Sequence, residues 1–138
     1  MNARTLIEAL NLWEATGSDV AHVAREVSEL LAHNGIPNLL AGGLAVQLHG
    51  YPRMTVGVDF IVPDVQKAHE FLLSKGYAPS CKRMLAVVDR NKKVTVDLLP
   101  AGQCLQRKCQ VPFPVPTDAS AVLLPVSLEE LISLKLDS

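Results

Sequence analysis

The sequence predicts an α+β domain, and three observations carry that expectation. Apolar residues recur at helical spacing in 18–33, 64–75 and 127–135. Short apolar runs at 38–41, 55–63, 84–88 and 94–99 have the length of strands. Glycine, proline, asparagine or aspartate punctuates the boundaries between them.

In chain order, Leu6, Ala9, Leu10 and Trp13 predict a short helix over 3–14, broken by Gly17. Ser18 can cap the next helix, in which Val20, Val23, Ala24, Val27, Leu30 and Leu31 form one stripe. Asn34-Gly35 stops it, with Pro37 beyond. His22 and His33 on this helix are expected at the surface, since two isolated histidines define no site.

Residues 38–41 read as a strand ended by Gly42-Gly43, and 44–49 as a short helix stopped by Gly50. Residues 55–63 form the next strand. Asp64 caps a helix to about Lys75 whose apolar positions are Val65, Ala68, Phe71 and Leu72, and Gly76 ends it. Residues 84–88 and 94–99 are two strands joined by the polar link Asp89-Arg90-Asn91-Lys92, a hairpin signature. A Pro-rich loop covers 100–120, and a last short strand is expected in 121–126. Ser127 and Glu130 make a capping box for the final helix, with Leu128, Leu131 and Ile132 expected on its buried face. Lys135 falls on that face too, where a lysine either snorkels outward or points at an anion.

A chain of 138 residues is long enough to bury its own core, and one domain, 1–138, is expected with the N-terminal helix within 1–17. Its 49% hydrophobic and 20% charged residues argue against disorder. The net charge of -1 gives no global attraction to nucleic acid or membrane. No apolar run reaches the roughly 18–20 residues that span a bilayer, and no secretory signal is recognised. Cys81, Cys104 and Cys109 are odd in number and are expected as free thiols in a reducing, cytoplasmic setting.

The chemistry-bearing pattern lies in 40–62 and 94–99. Strand alternation puts Gly57, Asp59 and Ile61 on one face, and Thr95, Asp97 and Leu99 on one face of the later strand. If the strands are neighbours, Asp59 and Asp97 project together. Each acid interrupts an apolar run and needs a cation, for which the candidates are a metal ion, Arg53 and Lys135. The diglycine before a helix offers backbone N–H groups to a phosphate. The plainer alternative is a small α+β domain in which Asp59 pairs with Arg53, and Asp97 with a lysine.

The ordered set Gly42-Gly43-Leu44-Ala45-Val46-Gln47-Leu48-His49-Gly50, Arg53, Thr55, Gly57-Val58-Asp59-Phe60 and Val94-Thr95-Val96-Asp97-Leu98-Leu99 resembles the nucleotidyltransferase superfamily with the DNA polymerase beta-like fold. It is similar above all to the small prokaryotic, toxin–antitoxin-associated branch. The resemblance spans roughly 18–136 and extends to the late helix with Lys135. It implies a small mixed β-sheet flanked by helices. It implies transfer of a nucleoside monophosphate from a nucleoside triphosphate to a hydroxyl on RNA, a protein or a small molecule, with Mg2+ as cofactor. On that resemblance, Asp59 and Asp97 are the catalytic and metal-binding acids. Gly42, Gly43, Arg53 and Lys135 are the phosphate-binding residues. The family pattern has an earlier acid two residues before Asp59, and this chain has Gly57 there. Gly43 stands where many members carry serine. Two readings follow: an active transferase, or a catalytically degenerate binding or regulatory module on the same fold.

Overall fold

A computed structural model of the chain describes residues 19–49, 57–81, 85–103, 112–117, 122 and 124–137; for 46–48, 128 and 135–137 it describes backbone alone. The expected helix at 3–14, the Ser18 cap, Arg53, Thr55, Cys104 and Cys109 lie outside the described residues.

The described elements are α1 (Asp19–His33), β1 (Leu39–Ala41), α2 (Gly42–Leu48), β2 (Gly57–Val62), α3 (Val65–Ser74), β3 (Ala78–Pro79), β4 (Ala86–Val88), β5 (Thr95–Pro100) and α4 (Leu128–Asp137). The strands form one mixed sheet in the order β1-β2-β5-β4-β3. β2 and β5 run parallel, and the other neighbouring pairs are antiparallel. The α+β expectation with a small mixed sheet and flanking helices therefore holds at that level.

The two long helices before the hairpin end alike. After α1, Ile36 N–H donates to Leu31 O at 2.9 Å and Gly35 N–H to Ala32 O at 3.0 Å. After α3, Tyr77 N–H donates to Leu72 O at 3.2 Å and Gly76 N–H to Leu73 O at 3.3 Å. Both are Schellman motifs, and each needs its glycine because φ is +70° at Gly35 and +99° at Gly76. The next residue, Ile36 or Tyr77, is buried and seals the turn. At the start of α3, Asp64 accepts from Lys67 N–H at 3.1 Å, the N-cap its position predicts.

Along β2 the even residues Val58, Phe60 and Val62 are almost fully buried, as are Val96 and Leu98 on β5, Leu40 on β1 and Val87 on β4. These share one face, since Leu40 registers with Phe60, Phe60 with Leu98, and Val96 with Val87. The apolar stripe of α1 (Val23, Ala24, Val27, Leu31) and that of α3 (Ala68, Leu72) join the same core. Both helices pack on the sheet, α1 against β2 and α3 against β4 and β5. His22 and His33 are exposed on the other side of α1. Among the described residues the core holds one polar pair: Ser28 donates to Asn38 Oδ1 at 2.9 Å, and Asn38 Nδ2 donates to Ile36 O at 3.2 Å. Satisfying the Asn38 side chain in this way fixes the path from α1 into β1.

Several sequence expectations change here. The helix after β1 begins at Gly42, two residues earlier than expected. β3 was not foreseen; it is a two-residue edge strand paired with β4. The strand expected in 121–126 is, among the described residues, a single parallel bridge between Leu40 and Pro125. Leu40 N–H donates to Leu124 O and Val126 N–H to Leu40 O, both at 2.8 Å. Proline at the bridge position sacrifices no bond, because its neighbours make them, yet it cannot continue a ladder. Of the capping box at Ser127 the N-cap bond forms, Glu130 N–H donating to Ser127 Oγ at 3.2 Å; the second contact is between side chains, the Ser127 hydroxyl donating to the Glu130 carboxylate at 3.1 Å. Ile132, expected to be buried with Leu131, is instead 52% exposed while Leu131 is buried. Neighbouring positions differ by about 100° around a helix, and α4 turns Leu131 inward and Ile132 outward.

Candidate functional site

The candidate site is built by strand register. Asp59 on β2 registers with Asp97 on β5 in the parallel pair. Asp59 also registers with Ala41 on β1, and Asp97 with Ala86 on β4. One row therefore crosses four strands as Ala41, Asp59, Asp97 and Ala86, with the two acids side by side and a methyl group at each flank. Cross-strand partners point the same way, about 4.8 Å apart in the hydrogen-bonding direction. The expected meeting of the two acids on one face is thus observed.

This face is the less covered one. Asp59 and Asp97 are half-buried, as are Gly57 and Thr95 in the row before them. The row beyond is apolar: Leu39, Ile61 and Leu99 share a register position, and Ile61 is fully buried. The acids thus sit at a boundary between an apolar wall and a lower side floored by Gly57 and Thr95. Both aspartates take part in further polar interactions, as charged groups at such depth must.

Two glycines shape the row. Gly42 opens α2 with φ +70°, a conformation glycine adopts at little cost. A Cβ built on Gly42 would overlap the Asp59 Oδ2 atom and lie 2.9 Å from its Cγ and 3.2 Å from its Cβ. The room beside Gly42 is therefore occupied by the Asp59 carboxylate. Sequence reasoning had reserved that room for an approaching phosphate. Gly57, where the family pattern has its first acid, is also close to a neighbour: a Cβ there would lie 3.0 Å from Thr95 O. That neighbour is backbone in a paired strand and cannot rotate away.

The remaining predicted site residues are brought together in part. Gly43 follows Gly42 in the first turn of α2 and is half-buried. His49, at the end of α2, places Nε2 2.9 Å from Val126 O and so donates to it. That bond ties α2 to the segment leading into α4, and α2 packs against α4. Lys135 lies on α4, with its backbone helical; its side chain, and Arg53 altogether, are outside the described residues.

The sequence reading put Thr95 on the face of Asp97 but gave it no role in the site. Thr95 registers with Gly57, and its Cβ lies 3.9 Å from where a Gly57 Cβ would be. The signal was available, since Thr95 lies two residues before Asp97, as Gly57 lies two before Asp59.

Adjacent carboxylates offer the hard oxygen donors that magnesium prefers, so the donor set fits one divalent cation completed by phosphate and water oxygens. Among the described residues no group of three His, Cys, Asp or Glu side chains is gathered closely enough to hold an ion alone. Among the described residues no helix is long and apolar enough to cross a membrane. Cys81 is an exposed free thiol. No family model, curated protein or solved structure matches this chain.

Proposed function

We propose that this chain is a nucleotidyltransferase-like protein in which Asp59 and Asp97 bind a nucleoside triphosphate through one magnesium ion. The supporting observation is the direct register of Asp59 with Asp97 on the half-buried face of the sheet. Two carboxylates in that relation repel each other, and a cation shared between them relieves the repulsion. Bound magnesium supplies charge neutralisation of the triphosphate. The chain's own residues do the rest. Asp59 and Asp97 orient the polyphosphate over the row, and the apolar wall of Leu39, Ile61 and Leu99 limits water on one side. Gly43, at the start of α2, offers backbone to a phosphate oxygen, and Arg53 and Lys135 are the cations proposed to steady it. The reaction class is in-line displacement. A hydroxyl oxygen of an RNA, protein or small-molecule acceptor bonds to the α-phosphorus as the bond to pyrophosphate breaks, and the hydroxyl proton passes to water.

One observation favours a second reading, a nucleotide-binding or regulatory module without transfer. The position that would carry another acid is Gly57, where a Cβ would press on the Thr95 backbone oxygen at 3.0 Å. Incubation with α-labelled triphosphates and candidate acceptors separates the two. Label transfer that Asp59→Asn and Asp97→Asn both abolish supports the transferase. Magnesium-dependent nucleotide binding without transfer supports the module. Transfer that survives either substitution overturns the site.

A further inference from the structure

We propose that Gly42 is a positioning residue for Asp59: its missing side chain makes the room in which the Asp59 carboxylate is held beside Asp97. The role is distinct from that of a phosphate loop, and its functional part rests on the cation site proposed above.

The geometry divides the diglycine. Ala41 registers with Asp59, so the chain turns from β1 into α2 immediately beside that acid. The Asp59 side chain lies against the turn so closely that no Cβ fits on Gly42. A phosphate brought to Gly42 Cα would meet a carboxylate instead of open backbone, and two anions do not share that space. Backbone approach by a phosphate is thus left to Gly43. Gly42 instead bounds Asp59 on the β1 side, as Asp97 bounds it on the β5 side.

Gly42 could also matter only because φ is +70°, which any L-residue adopts with strain. The chain contains its own control. Gly35 also has φ +70°, but a Cβ on Gly35 meets nothing within 4 Å. Gly35→Ala therefore measures the backbone strain alone, far from the acid row. Gly42→Ala measures strain plus collision with Asp59. The collision is overpacking, worth on the order of a further tenfold in the folding equilibrium.

The test is a double-mutant cycle with a binding readout. Urea unfolding is measured for wild type, Gly35→Ala, Gly42→Ala, Asp59→Ala and Gly42→Ala/Asp59→Ala. The expected result is a larger loss for Gly42→Ala than for Gly35→Ala, with most of the excess vanishing in the Asp59→Ala background. Equal losses at Gly35 and Gly42, or an excess unchanged by Asp59→Ala, would overturn the assignment. Should Gly42→Ala not fold, recovery of folding in the double variant supports the proposal, and failure to recover opposes it. Mn2+ titration followed by electron paramagnetic resonance then addresses function in the folded variants. Weaker Mn2+ binding in Gly42→Ala, by roughly tenfold or more for a displaced ligand, with Gly35→Ala like wild type, supports the positioning role. Mn2+ affinity equal in all three opposes it. Absence of Mn2+ binding in wild type, with the stability cycle as expected, removes the cation reading while leaving the Gly42–Asp59 packing in place.

Discussion

The acid row and the hairpin end of the same sheet hold their carboxylates by different means. At the hairpin end each acid meets donors of its own, from the turn itself or from a facing element. Asp89 Oδ1 accepts from Asn91 N–H at 3.0 Å and Lys92 N–H at 2.6 Å, which folds the turn between β4 and β5. Glu26 on α1 accepts from the Tyr77 hydroxyl at 2.6 Å, and Lys92 reaches Asp19 at 3.4 Å. Arg90 Nε donates to Gly76 O at 2.9 Å, so the hairpin also caps the end of α3. In the acid row, by contrast, long-range strand register sets Asp59 beside Asp97, and glycines make the room around them. An acid at the hairpin end is worth its own bonds. The geometry of the row depends as much on positions that carry no side chain.

That difference can be broken or sharpened by substitution. After Gly42, the largest effect is expected at Gly57. Gly57→Ala should destabilise by about 1–3 kcal/mol, because the added methyl presses on Thr95 O and parts β2 from β5. Gly57→Asp should cost at least as much, since it adds a third negative charge beside the row. Urea unfolding measures both, and a stabilised Gly57→Asp protein would show that the strands part readily there.

Tyr77→Phe should cost about 0.5–1.5 kcal/mol, the net worth of its hydrogen bond to Glu26. It should also change the alkaline limb of stability. Burial first, then the bond to Glu26 and the charges of Glu26 and Asp89, push the Tyr77 phenol well above its ordinary value of 10.0. The folded state therefore keeps a proton that the unfolded state releases. The resulting contribution is complete below pH 10.0 and is lost as pH rises above it. Unfolding curves at rising pH should fall more steeply for wild type than for Tyr77→Phe.

The smallest effect is expected from Lys92→Ala. Its ion pair with Asp19 is partly solvated, with side chains 34% and 59% exposed, and should contribute under about 0.5 kcal/mol. Thermal unfolding at low and high salt would check this.

The same contrast explains what could be read from the sequence. Helix ends were legible because Gly35, Gly76, Asp64 and the Ser127–Glu130 pair act over three to five residues. The hairpin was legible because its polar link lies between two apolar runs. The parity of Asp59 and Asp97 followed from period-two alternation, with the pairing of β2 and β5 as the one added condition. β3 escaped notice because two residues, one of them Pro79, carry no period, and their pairing comes from β4. Ile132 was misjudged because a short helix leaves the width of its apolar stripe undetermined. The seat of Asp59 at Gly42 was hidden for a different reason. A glycine announces that room is needed, and only the fold says what fills it.

The central proposal is a cation shared between Asp59 and Asp97 that binds a nucleotide. Calorimetric titration with nucleoside triphosphates, with and without magnesium, on wild type, Asp59→Asn and Asp97→Asn tests it most directly. The account predicts saturable binding that requires magnesium and is lost in both variants. Binding that ignores magnesium, survives either substitution, or is absent from the wild type would contradict it.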